Sequence, residues 1–447
     1  MRNALDVLII GAGLSGLYSA FILSQQGITN FKIIEAQDRI GGRVHTLKLT
    51  DQLFVDLGGQ WISSKQKRIS SLVKAFQFET IQSTDHSTYD LLGRRKTSYV
   101  KIPPIPFGGL YELWKTRNTF NKLLKEIPSV PPFQSETLTK LDQFSMEQWL
   151  SEHIKNKGVT SFYKMMALEG SCMELEQLSM LDALWCIKTT GSIKSMMSAE
   201  EKWLKKGTQV IVEELARPCL DKIVIGSPVK KIIYNEDMAI VETSKDTFQA
   251  KKVILTVPIH LINKISFSPP LPKEKYRLIS SLPSSHVIKT IIMYNQPFWK
   301  KDSFRGTYLS DNKWLQLIVD TSQHHLQYGV LTCFTTGPNA IELRTFSMEQ
   351  RKSTILHYLE SLLGLGARNP IEYIEKDWDK EEWTQGGYGT HFPPEILSNY
   401  GGALFTPIGP LHWAGTETST EWRLYMEGAL QSGERAALEI LDEFQEK

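Results

Sequence analysis

The run Val7-Leu8-Ile9-Ile10-Gly11-Ala12-Gly13-Leu14-Ser15-Gly16 decides the fold. Four consecutive apolar residues fit a parallel strand covered on both faces. They stop at a GxGxxG turn, and Leu17 to Gln26 carry a helical spacing that Gly27 ends. Phe31-Lys32-Ile33-Ile34 makes a second strand closing on Glu35, so the chain opens with one βαβ unit. In such a unit Gly11 allows the tight turn, Gly13 lets the backbone approach a pyrophosphate, and Gly16 permits close helix–strand packing. The helix start at Leu14 and Ser15 offers unpaired N–H groups and a positive dipole end to phosphates. Glu35 lies nineteen residues after Gly16, where a carboxylate can accept hydrogen bonds from a ribose. The motif in this context predicts dinucleotide binding, but alone it does not separate FAD from NAD.

Outward from that unit, 447 residues exceed one compact core and predict two domains. From about 86 to 205, amphipathic stretches interrupted by a Pro-rich segment at 102–107 predict a mostly helical region. Short β-branched runs return at 223–233, 239–243, 253–257, 287–294 and 315–320. The end mirrors the beginning, with a short strand at 412–415 and a helix over 425–441. Dinucleotide-type pieces at both ends predict interleaved domains: 1–85, 208–275 and 395–447 form one, 86–207 and 276–394 the other.

The 51 basic and 49 acidic residues leave a net charge of +2, which argues against nucleic acid or an anionic membrane as partner. Cys172, Cys186, Cys219 and Cys333 form no CxxC pair and no ligand cluster, so no disulfide framework or metal site is expected, and a reduced cytoplasm is. No stretch reaches the ~20 apolar residues of a spanning helix, so no transmembrane anchor is expected. His324-His325 would face opposite ways on a strand, with no carboxylate motif nearby, and is not read as a ligand pair. Lys205-Lys206 and Lys300-Lys301 are read as solvated ends, and Met165-Met166 and Met196-Met197 as packing.

Glu35-Ala36-Gln37-Asp38-Arg39-Ile40-Gly41-Gly42-Arg43 resembles the E-A-x-x-R-x-G-G-R signature of the flavin amine oxidase superfamily. Asp56-Leu57-Gly58-Gly59-Gln60-Trp61 resembles its D-L-G-G-x-aromatic segment, and Trp413-Ala414-Gly415-Thr416-Glu417-Thr418 its A-G-T-E-T motif. Tyr425-Met426-Glu427-Gly428-Ala429 and the residues to Ala437 are similar to the helix that follows. The resemblance implies an α/β, two-domain fold: a Rossmann-like FAD-binding domain interleaved with a substrate domain of mixed sheet and helices. It implies FAD contacts from Gly11, Gly13, Leu14, Ser15, Gly16, Glu35, Ala36, Gly42, Gly58, Gly59, Gln60, Trp61, Gly415, Thr416, Glu417, Tyr425 and Met426. Arg43 would neutralise the diphosphate, and Val229 would meet adenine through its backbone.

The group matched most closely is the monoamine oxidases. Gly386-Gly387-Tyr388-Gly389-Thr390-His391-Phe392-Pro393-Pro394 resembles their G-C-Y-x-x-x-F-P-P stretch. Gly387 stands where mammalian members carry the cysteine that bonds the flavin, so the FAD is expected to be non-covalent. The C-terminal membrane helix of those enzymes is also missing, which implies a soluble, bacterial-type relative. By the same resemblance Tyr388 and Tyr425 form an aromatic cage presenting electron-rich faces to an amine nitrogen. Lys289, in Val287-Ile288-Lys289, would hold a water against flavin N5, and Trp378 would line the flavin. The implied pocket is Trp61, Thr189, Phe334, Tyr388 and Tyr425.

The implied reaction converts a small primary amine to an imine and then an aldehyde, while dioxygen becomes hydrogen peroxide. Arg423 keeps an L-amino-acid oxidase reading open, and Glu169, Glu174 and Glu176 a polyamine oxidase reading. A flavin desaturase, a protoporphyrinogen-type oxidase and a non-catalytic flavoprotein are the readings of other classes. The partners expected are the amine and dioxygen, with a homodimer possible for such enzymes.

Overall fold

A computed structural model describes residues 4–84, 87–98, 103–105, 107–131, 133, 135–301, 304 and 306–446. The Pro-rich segment at 102–107 therefore lies partly outside the described residues. The opening apolar run forms the strand Leu5–Ile10, with Val7, Leu8 and Ile9 fully buried. It pairs in parallel with Phe31–Ile34 on one side and Thr247–Leu255 on the other. Burial on both faces explains why it reads as a continuous apolar run. Across the sheet the order is Ile223–Val224, Phe31–Ile34, Leu5–Ile10, Thr247–Leu255, Ala239–Thr243, Val229–Tyr234 and Ser266–Ser268. Leu411–Trp413, from the far end of the chain, adds to Thr247–Leu255 in parallel.

The run expected at 223–233 is split. Gly226 has φ +59° and Pro228 follows, so Ile223–Val224 pairs with Phe31–Ile34 while Val229–Tyr234 lies on the opposite side of the sheet. The helix Leu14–Gln25 packs on the helix Met426–Gln445 through Leu17, Ala20, Leu430, Ala436 and Ala437. Gly433 sits at the crossing: a Cβ there would meet the Ser15 carbonyl oxygen at 2.3 Å.

A second sheet runs Glu372–Asp377, Val287–Tyr294, Gly329–Thr336, Leu317–Asp320, Thr307–Ser310, Ser87–Leu91 and Arg94–Ser98. It is mainly antiparallel, with Thr307–Ser310 and Ser87–Leu91 parallel. All eight residues of Val287–Tyr294 and of Gly329–Thr336 are buried. The region from 86 thus opens on a hairpin belonging to this sheet rather than on a helix. Helices follow from Phe107–Glu126 to Met180–Thr189, among them Lys157–Ser171, whose N-cap Asn156 accepts from the amides of Gly158 and Val159. The four cysteines are free. Among the described residues no helix is long and apolar enough to cross a membrane, and no group of side chains could hold a metal.

Candidate active site

The first turn after Leu5–Ile10 is built as its glycines require. Gly11 has φ +109°, and a Cβ there would meet the Thr256 hydroxyl at 2.2 Å; at Gly16 it would meet the Gly11 carbonyl at 2.0 Å. Gly13 differs, since its added Cβ would meet only Gly41 O, at 3.8 Å. The space before it is open, and the helix beginning at Leu14 has no side-chain cap. An uncapped helix end behind an open glycine suits an anionic phosphate. The Glu35 carboxylate accepts from the Ala12 amide at 2.7 Å and the Gln37 amide at 2.9 Å. Burial pushes its pKa up and those amides pull against it. It therefore braces the turn from a buried position. Ala36 is half-buried beside it. The segment leading to Val229 lies alongside, with the Ser227 amide donating to Glu35 O at 2.8 Å.

Gly42, at φ +58°, packs against Gly13. Arg39, given no role by the sequence reading, holds this loop by donating to the carbonyls of Gly42 and Val44 at 2.8 and 3.1 Å. Arg43 forms a bidentate pair with Glu417, at 2.5 and 3.1 Å, and donates to Tyr388 O at 3.1 Å. Burial alone would raise the Glu417 carboxyl, but Arg43 outweighs it and holds the pKa at about 2. The arginine expected to act as a free countercharge is thus joined to an acid from the other end of the chain. Ser15 is joined in the same way. Its hydroxyl and that of Ser432 accept from the Gly415 amide at 3.1 and 3.0 Å.

Lys289 lies on Val287–Tyr294, the strand next to the Glu372–Asp377 edge of the second sheet, and is 2% exposed. Its Nζ donates to Gly58 O at 3.0 Å and Gln60 Oε1 at 2.9 Å. It stands 5.3 Å from the Trp61 ring and 5.4 Å from that of Phe334. Burial drives its pKa down to about 7 against the pull of Asp56. Asp56 is itself buried and accepts from Thr46 and from the amide and hydroxyl of Thr208, while Thr208 also donates to Gly59 O. Trp378 donates its indole N–H to Leu57 O at 2.9 Å. Gly59 faces Met426, and Thr416 donates to Tyr425 O at 2.8 Å. The Trp61 indole nitrogen is buried without a partner. Open glycine, uncapped helix and orphaned donor are the features a dinucleotide carrying a polar flat ring would satisfy.

The rings fall into two groups drawn from separate segments. Phe334 is 5.9 Å from Tyr388 at 77° and 6.0 Å from Trp61, and Trp422 is 5.3 Å from Tyr425 at 89°. Burial, then nearby thiol and carboxyl groups, raise both tyrosine pKa values far above the usual range. Glu169 and Glu200 are among the charges that raise both tyrosines. Glu200 belongs to no motif and escaped the sequence reading. Thr189 has its hydroxyl committed to Cys186 O and the Arg423 amide, so it anchors the loop leading to Tyr425.

Two expectations are corrected. Arg423 is fully buried and donates to Asp182 at 2.5 Å, with its guanidinium carbon 4.5 Å from the Trp185 ring. A cation already paired and desolvated there does not serve a substrate carboxylate. Glu174 and Glu176 line a cleft of about 250 Å³ with Glu147 and Lys164 rather than facing the rings. Of the three acids, Glu169 is the one that acts on the two tyrosines. His324 and His325 are exposed in a turn rather than on a strand.

The sequence model of the family described as flavin containing amine oxidoreductase matches residues 14–441. The flavin-containing amine oxidase of Oncorhynchus mykiss is 33% identical over 460 residues, covering 99% of this chain and 87% of that protein. Amine oxidase B of Homo sapiens is 31% identical, with the same coverage. Among solved structures, a putrescine oxidase bound to putrescine matches with a TM-score of 0.92 at 29% identity, covering 98% of this chain and 99% of that one. Cyclohexylamine oxidase from Brevibacterium oxydans matches with a TM-score of 0.93 at 26% identity, covering 99% and 100%.

Proposed function

The chain belongs to the flavin-containing amine oxidoreductases, its cofactor is FAD, and we propose that it oxidises small primary amines with an apolar body. The observation that carries this reading is the chain of rings Trp61, Phe334 and Tyr388, with a buried lysine beside the first two. In this reading Gly11, Gly13 and the helix start hold the diphosphate, Glu35 the ribose and Val229 the adenine. Gly58, Gly59, Trp61, Trp378 and Met426 flank the ring. FAD, when bound, supplies the two-electron acceptor and passes the electrons to dioxygen, giving hydrogen peroxide. Gly387 has no side chain to bond it, so it is held non-covalently.

The protein's own work is positioning, drying and proton control. Tyr388 and Tyr425 stay neutral phenols because their pKa values are raised, so they offer electron-rich faces rather than charge to the amine nitrogen. The apolar rings exclude water from the carbon that is oxidised. Lys289 spends two N–H groups on Gly58 and Gln60 and keeps a third for a water. With a pKa near 7 it passes between cation and amine at neutral pH. The imine leaves and is hydrolysed to the aldehyde. Four free cysteines suit a reducing cytoplasm, the compartment this reading assigns.

Peroxide release tests the reading across butylamine, benzylamine, diamines and amino acids. Primary amines give peroxide, and silence with every amine overturns it. Replacing Tyr388 and Tyr425 together with leucine lowers kcat/KM by about tenfold to hundredfold while FAD stays bound; unchanged kcat/KM removes the cage.

A further inference from the structure

We propose that Asp182 is a positioning residue for the amine oxidation: it ties the loops carrying Tyr388 and Tyr425 to one helix and fixes where the two rings stand relative to each other. This rests on the amine-oxidase reading of the same site. Asp182 lies in the first turn of Met180–Thr189 and is fully buried, its amide donating to the capping hydroxyl of Ser179. One carboxylate oxygen accepts from His391 Nδ1 at 2.5 Å and the other from Arg423 Nη2 at 2.5 Å. Burial alone would raise the pKa of this acid, but Arg423 and then His391 outweigh it. The group is therefore a carboxylate, and both neighbours donate to it. His391 follows Tyr388 by three residues, and Arg423 precedes Tyr425 by two. One side chain thus holds both tyrosine loops.

The helix fastens each loop a second time through backbone groups. The Ser179 amide donates to Phe392 O at 3.0 Å, and Thr189 O accepts from the Trp422 amide at 2.9 Å. Among the described residues, Asp182 is the side chain of this helix that hydrogen-bonds both loops. The Tyr425 loop needs such a hold. Trp422 and Leu424 sit at φ +51° and +70°, a region that large side chains adopt only where their surroundings impose it. Arg423 lies between them, fully buried, with its guanidinium carbon 4.5 Å from the Trp185 ring and 5.5 Å from that of Phe392. Among the described residues Asp182 is the acid paired with it, and its Nε and Nη1 hydrogen-bond no other group. Removing the acid leaves a buried cation uncompensated. The backbone from Trp422 to Leu424 is then free to relax, and Tyr425 moves with it.

The test is a four-way comparison of the FAD-loaded enzyme with benzylamine: wild type, Asp182→Asn, Tyr388→Leu/Tyr425→Leu, and all three changes together. Asp182→Asn lowers kcat per bound flavin by about tenfold, as displaced reacting groups do, while KM moves by less than about threefold. In the Tyr388→Leu/Tyr425→Leu background the same change alters kcat by less than about twofold, because the rings it positions are gone. A residue that only stabilises the fold would lower kcat equally in both backgrounds. Asp182→Leu/Arg423→Met provides a second variant, since replacing a buried ion pair by apolar residues often keeps a core stable. It shows the same loss of kcat even where Asp182→Asn does not fold. Unchanged kcat in a folded variant, equal losses in both backgrounds, or failure of both variants to fold overturns the positioning role and leaves the amine-oxidase reading standing. No peroxide from the wild type with any amine overturns both.

Discussion

Lys289 shows what a single side chain can be made to do by burial. Its amine is desolvated, fixed by a carbonyl and an amide oxygen, and shifted to about 7. The ordinary value is 10.5, so between about pH 7 and 10.5 the unfolded chain binds the extra proton and the folded one does not. Folding stability attributable to this residue therefore rises with pH across that window. Lys289→Met removes the rise, seen by comparing Tm of the two proteins at pH 7 and 9. The same variant slows flavin reduction or reoxidation by about tenfold or more, followed by stopped-flow absorbance. Unchanged traces take Lys289 out of the chemistry. Lys289 was legible because a lysine in an apolar strand needs a reason to be there. Arg423 and Glu200 were misjudged or missed because no local pattern tells whether a charge meets a partner from another helix.

Between elements, the contact of Leu14–Gln25 with Met426–Gln445 is governed by what is missing from Gly433. A methyl group there meets the Ser15 carbonyl at 2.3 Å, and neither backbone can yield without disturbing the Ser15–Ser432–Gly415 hydrogen bonds. Gly433→Ala is expected to cost about 1–3 kcal/mol and lower Tm by roughly 2–10 °C, with weaker FAD retention on gel filtration. A small change in both would show that the helices separate freely. Elements with strong periodicity were legible. Phe31–Ile34, Ala239–Thr243 and Val287–Tyr294 have the extents expected. The strands Thr307–Ser310, Gly329–Thr336 and Glu372–Asp377 were not. Gly329–Thr336 is buried throughout, and a short fully buried run looks alike as strand or helix.

Across the whole molecule, the two ends of the chain share one site, and Arg43–Glu417 is the ionic part of that union. With its folded value near 2 against an ordinary 4.5, Glu417 contributes stability that is complete above about pH 4.5 and lost as the pH falls toward 2. Glu417→Gln flattens that acid limb in a Tm-versus-pH series. Acid or heat releases yellow FAD to the supernatant, and a coloured, washed precipitate would refute the argument from Gly387. The GxGxxG turn and the Gly415-Thr416-Glu417 segment made the union readable from sequence. The pairing partners inside it were not, because spacing along a chain carries no record of which side chains meet.

The strand Leu411–Trp413 and the helix Met426–Gln445 also impose an order on synthesis. The first βαβ unit leaves the ribosome with its covering helix still untranslated. At about 5–20 residues per second it waits roughly 20–80 s for that helix. The nucleotide pocket therefore comes into being only once Met426–Gln445 has been made, and FAD loads onto a chain translated at least that far.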